Sequence, residues 1–210
     1  MPAPQPEARA ILRALAKAYP DARCGLDFEG PFQLAVATLL SAQCTDKAVN
    51  RATPPLFARY PGPRELARAK ASDVEALIRS LGLFRTKARH LVAMAQALEA
   101  RHGGQVPAEM KALTALPGIG RKTANVILSN AFGLPGLAVD THVLRVGRRL
   151  GLHSSADPVK AEAQLCALAP KASWGLLSHR LISLGRGPCR ARKPLCAACA
   201  LAGLCPSRED

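Results

Sequence analysis

The chain has 210 residues, 49% of them hydrophobic, enough for one large or two modest domains with sizeable cores. Its 29 Lys/Arg against 15 Asp/Glu give a net charge of +14, which points to a polyanionic partner, nucleic acid before an acidic membrane surface. No apolar run reaches membrane-spanning length and MPAPQPEARA lacks the regions of a signal peptide, so a soluble cytoplasmic protein with no membrane partner is expected.

Helical periodicity runs through nearly the whole chain. Ala8, Ile11, Leu12, Leu15 and Ala18 recur at three- and four-residue steps and give a first helix one apolar face. FQLAVATLLSAQ is apolar on all sides, as a helix buried in a core would be. Pro54-Pro55 interrupts what would otherwise be a helix from Asp46 to Tyr60, so a kink or break is expected there. Ser72-Asp-Val-Glu75 reads as a capping box opening a helix that Gly82 closes. Thr86 to Arg101 forms an amphipathic helix stopped by Gly103-Gly104, and Pro107 is placed to start a short helix ending at Leu116. A further helix begins at Arg121 or Lys122 and ends at Gly133, and Asp140 and Asp157 look like N-caps. No strand alternation or internal repeat interrupts the pattern. The fold class is all-α.

The stretch LPGIGRKTAN (116–125) sets a tight turn between two of these helices, a helix-hairpin-helix. Gly118 and Gly120 allow positive φ and a close neighbour. Backbone N–H groups at the turn and the next helix start make a phosphate site, with Arg121 beside it. A dinucleotide loop is the competing reading; it fails because no strand precedes the turn and the third glycine of GxGxxG is missing. Lys122 stands in a helix's first turn, where the macrodipole disfavours a cation and so favours the uncharged amine a nucleophile requires. Asp140 supplies a nearby carboxylate, a role compatible with capping its own helix.

Seven cysteines in this setting argue against a disulfide framework. Cys24, Cys44 and Cys166 are scattered and read as buried, inert thiols. Cys189, Cys196, Cys199 and Cys205 form C-x6-C-x2-C-x5-C, whose four thiolates suit one 4Fe-4S cube or one tetrahedral zinc. The RARKPL run between the first two, with Arg190 and Lys193, carries three cations and no acid and can meet phosphates. From Arg121 to Lys193 there are 12 Lys/Arg and 3 Asp/Glu, so +9 of the net +14 lies there.

LLSAQCTD (39–46), LGLFRTKA (81–88), LPGIGRKTAN (116–125), VDTH (139–142) and the cysteine cluster together resemble the bacterial endonuclease III family over nearly the whole chain. These are helix-hairpin-helix DNA glycosylase/AP lyases. The resemblance implies a six-helix barrel over residues 22–133 and an iron–sulfur domain from residues 1–21 and 134–210, with DNA in the cleft between. It implies that the cluster is 4Fe-4S, that Lys122 is the Schiff-base lysine and that Asp140 is the catalytic aspartate. It further implies that Gln43 fills the gap left by the extruded base, that Leu83 probes the opposite strand and that Lys193 contacts DNA. The partner is then double-stranded DNA with damaged pyrimidines or abasic sites, bound by a monomer in the nucleoid. Adenine-mismatch glycosylases of the superfamily lack the lysine, and oxidised-guanine glycosylases lack the cluster. Cys44 and Leu184 depart from residues often seen in the family. A DNA-binding module without chemistry and a monofunctional adenine-mismatch glycosylase are the alternatives.

Overall fold

The computed structural model describes residues 6–209, and among them there is no strand, in accord with the all-α expectation. No helix is long and apolar enough to cross a membrane. Contacts divide the chain into two units, Cys24–Gly133 and a second that joins the chain up to Arg23 to the part from Leu134 onward.

Cys24–Gly133 holds α2 (Gly30–Leu40), α3 (Asp46–Arg59), α4 (Pro63–Ala67), α5 (Ala71–Leu77), α6 (Phe84–His102), α7 (Met110–Thr114) and α8 (Arg121–Ala131). Every residue of α2 from Leu34 to Leu40 is buried, as its all-round apolar pattern requires, and α3, α6 and α8 pack against it. Leu40, Leu56, Leu91, Leu98 and Ile127 fill the space between these helices. Each such side chain removed from water stabilises the unit by about 1.5–3 kcal/mol.

Four local readings differ from the structure. Pro54 and Pro55 sit inside α3, which is a single helix from Asp46 to Arg59. Burial of Thr53 and Leu56 on either side of the pair keeps the helical path despite the lost N–H groups. The Ser72 capping box is not formed: α5 starts after Lys70, so Ser72 and Glu75 lie within it, and it ends at Leu77 with Ile78, not Gly82, as its cap. Val74 and Ile78, both fully buried, fix where that helix lies. Pro107 does not open a helix; α7 begins at Met110 behind Glu109. Gly120 has φ −90°, ordinary extended backbone, and of the two hairpin glycines only Gly118 has a positive φ.

The second unit holds α1 (Pro6–Ala18), α9 (Thr141–Arg149), α10 (Pro158–Leu168) and α11 (Trp174–Arg186) around Leu15, Val143, Val146, Leu165 and Leu181. Asp157 caps α10 as expected, accepting from the N–H groups of Val159 at 2.8 Å and Lys160 at 2.9 Å. α11 packs against α9 and α1. The α9–α11 approach needs Gly185: a Cβ there would stand 2.9 Å from His142 Nδ1 and 3.0 Å from Val146 Cγ2. That closeness brings the chain after α11, with its cysteines, back beside α9.

Candidate functional site

The hairpin between α7 and α8 is pinned by two buried side chains, Leu116 and Ile119, while Ile119 N–H donates to Leu116 O at 3.1 Å. Between them Gly118 has φ +77°, and a Cβ would meet Leu39 Cδ1 at 2.8 Å and His90 Cβ at 3.1 Å. Conformation and space both demand glycine at 118. A Cβ on Gly120 would meet nothing within 4 Å, so the chain leaves open room at the start of α8. No side chain caps that start and no acid stands in its first turn, so the partial positive charge of the helix end is not offset. Arg121 and Lys122, both exposed, add two cations there. A phosphate meets a receptive surface there.

In the same unit Gln43 and Leu83 are exposed and have φ of 55° and 58°; with Lys193 (φ 51°) they are the described non-glycine residues of positive φ. These three are also the residues whose expected task is to reach into or against DNA. A left-handed backbone costs a residue with a Cβ about 1–2 kcal/mol. Leu83 is in addition 56% exposed, a large apolar side chain held out into solvent at the N-cap of α6.

Asp140 lies in the other unit, where it caps α9: Oδ1 accepts the Val143 N–H at 2.8 Å. The N-cap expectation therefore holds. Further along α9, Arg145 donates to the carbonyls of Gly185 and Cys189, both at 3.0 Å. Arg149 donates to Arg190 O at 2.6 Å and Ala191 O at 3.1 Å, with Cys189 Sγ 3.6 Å away. The two arginines thus clamp the start of the cysteine loop, leaving Arg190, Arg192 and Lys193 exposed on its outside. Sequence reasoning missed this clamp. The signal was available, because arginines four apart share one helix face.

Cys189, Cys196, Cys199 and Cys205 line one cavity with Arg149 and Leu184 and with no acidic residue. Burial pushes the Cys205 thiol up, and the charges of the other three thiols act in the same sense. Tyr19, at the end of α1, is raised by burial and then by Cys199 and Cys189, which places it beside the same cavity. Among the described residues no group of three or more His, Cys, Asp or Glu is arranged to hold a single metal ion. Cys24, Cys44 and Cys166, expected to be buried, are half-buried.

Residues 36–171 match the HhH-GPD superfamily of base excision DNA repair proteins. An endonuclease III of Synechocystis sp. is 49% identical over 200 residues, covering 95% of this chain and 91% of that protein. One of Bacillus subtilis is 45% identical over 188 residues, covering 89% and 86%. Among solved structures, a trapped endonuclease III–DNA covalent intermediate superimposes with a TM-score of 0.90 at 43% identity, covering 95% of this chain and 96% of that one.

Proposed function

From its membership of the HhH-GPD superfamily of base excision DNA repair proteins, to whose endonuclease III family this chain belongs, we propose that it removes oxidised pyrimidines from duplex DNA through Lys122. The chain is a base excision repair DNA glycosylase/AP lyase. The observation that carries the assignment of the amine is the uncapped start of α8, where Lys122 is exposed just past the Gly118 bend and no acid competes for it.

The damaged nucleotide is first extruded, at a cost of a few kcal/mol that is smaller for damaged bases. Gln43 takes the vacated place in the stack and Leu83 presses on the opposite strand. Gly118, Gly120 and Arg121 receive a phosphate at the hairpin, and Arg190 and Lys193 receive another from the cysteine loop. Lys122 Nζ then attacks C1′, and the electron pair of the C1′–N bond leaves with the base, which takes up a proton. Asp140 keeps α9 capped through Oδ1, and its Oδ2 stabilises the positive charge that develops on the sugar. Nζ gives up a proton, its electron pair forms the C1′=N bond as the C1′–O4′ bond breaks, and O4′ takes up a proton, which gives the Schiff base. Loss of a C2′ proton sends its electron pair toward C3′, the C3′–O bond breaks and the strand is cut on the 3′ side.

The same reading places a 4Fe-4S cluster on Cys189, Cys196, Cys199 and Cys205. The donor set fits: four thiols line one cavity that holds no acid, and an arginine stands beside them. When bound, the cluster supplies four covalent anchors for the loop. The chain's own part is to hold that loop against α9 through Arg145 and Arg149, which presents Lys193 outward.

A panel of duplexes carrying an oxidised pyrimidine, oxidised guanine, mismatched adenine or an abasic site tests the proposal. Base release and nicking are expected together on the oxidised pyrimidine, with nicking at the abasic site. Release of mismatched adenine without nicking would point to the monofunctional alternative instead.

A further inference from the structure

Lys87 and Cys44 have no part in the chemistry above, yet their placement calls for an explanation. Lys87 is 3% exposed on the buried face of α6, beside Ala88, Leu91 and Val92. Its Nζ donates to Cys44 Sγ at 3.1 Å, a contact between residues 43 apart in sequence. A buried amine is costly unless its polar head is bonded, and sulfur is a weak acceptor. Core packing alone would be served better by methionine.

The backbones of the same two residues supply the reason. Cys44 N–H donates to Ser41 O at 3.0 Å and closes the turn that contains Gln43. Lys87 N–H donates to Leu83 O at 3.0 Å and closes the first turn of α6, whose N-cap is Leu83. Gln43 and Leu83 both have left-handed backbone, which persists at a residue with a Cβ only where its surroundings over-determine it. The Lys87–Cys44 contact therefore ties the residue that closes one strained turn to the residue that closes the other.

We propose that Lys87 is a positioning residue: through the Cys44 sulfur it fixes the spacing between the Gln43 turn and the Leu83 turn. The two side chains then enter the duplex in register as a nucleotide leaves the stack. The inference rests on the DNA roles assigned above to Gln43 and Leu83, and is independent of the chemistry assigned to Lys122.

The test is binding without chemistry: affinity for a duplex with a tetrahydrofuran abasic analogue relative to the intact duplex. No bond to Lys122 forms, so failure of the amine assignment leaves this readout unmoved; loss of the preference in Gln43→Ala checks the DNA role itself. Lys87→Met and Cys44→Ala are each expected to lower the preference by up to about tenfold, the scale of one hydrogen bond's net contribution, with intact-duplex affinity retained. Cys44→Ser, which keeps an acceptor, is expected to restore it. Cys44→Ala added to Gln43→Ala is expected to cost nothing more. Should Lys87→Met fail to fold, the two Cys44 variants carry the test, since both leave the lysine in place. A wild-type preference in Cys44→Ala, or a Cys44→Ser variant as poor as Cys44→Ala, overturns the proposal.

Discussion

Replacing Gly118 with alanine perturbs the hairpin at its least tolerant point. The φ of +77° costs an alanine about 1–2 kcal/mol. The new Cβ also lies 2.8 Å from Leu39 Cδ1 and 3.1 Å from His90 Cβ. Leu39 is buried in α2 and has little room to retreat, so overpacking adds about 1–3 kcal/mol. The sum, about 2–5 kcal/mol, corresponds to a local opening equilibrium raised roughly 30-fold or more. Gly120→Ala is the matched control: its φ of −90° suits alanine and its Cβ meets nothing. That change should cost no more than about 1 kcal/mol, the scale of N-cap preferences. It does put a methyl group where a phosphate would approach, so it should weaken DNA binding at unchanged stability. Hydrogen exchange of peptides from α7 and α8 measures the first effect, and salt-controlled affinity for duplex DNA the second. Equal exchange in Gly118→Ala and wild type, or a larger stability loss in Gly120→Ala, would refute the reasoning.

Leu83→Gly removes left-handed strain and adds chain entropy, terms of similar size, so thermal stability should shift by less than about 1 kcal/mol. Base release from duplex DNA should nevertheless fall, because the exposed leucine is gone; a variant as active as wild type would remove Leu83 from the wedge role. Asp140→Asn keeps an oxygen for the Val143 N–H and so should leave α9 intact while lowering base release at least a hundredfold, the scale of one electrostatic stabiliser. Equal activity in Asp140→Asn and wild type would reduce Asp140 to a cap. His153 is buried, and burial pushes it below its usual value; the backbones of Leu144, Val143 and Ser155 act against that shift and Arg148 acts with it. Its folded value lies below the unfolded one, so stability present above about pH 6.5 is lost as pH falls through that window. The single tryptophan, Trp174, packs in the same unit, so its fluorescence in a urea series reports this slope, which His153→Phe should flatten.

Much of this architecture was legible because it depends on local chemistry. The Asp140 and Asp157 caps, the buried α2 and the Gly103 stop each follow from residues within a few positions of one another. The gathering of four cysteines into one cavity followed from their spacing. What failed depended on packing elsewhere. Ser72 and Glu75 have the right spacing for a capping box, but burial of Val74 and Ile78 lets α5 begin two residues earlier. Pro54-Pro55 looks like a break until the neighbouring core contacts are known. The Lys87–Cys44 contact spans 43 residues and has no periodic signature. Left-handed backbone at Gln43, Leu83 and Lys193 was invisible too, since none of these residue types favours it.

The proposed chemistry requires an amine at the start of α8 to form a bond to deoxyribose. Borohydride reduction of the protein with an abasic-site duplex, followed by proteolysis and mass spectrometry, reads that bond directly. The expected result is one cross-linked peptide with the sugar on Lys122 Nζ, and no adduct from Lys122→Ala. An adduct mapped to another residue, or one that persists in Lys122→Ala, contradicts it.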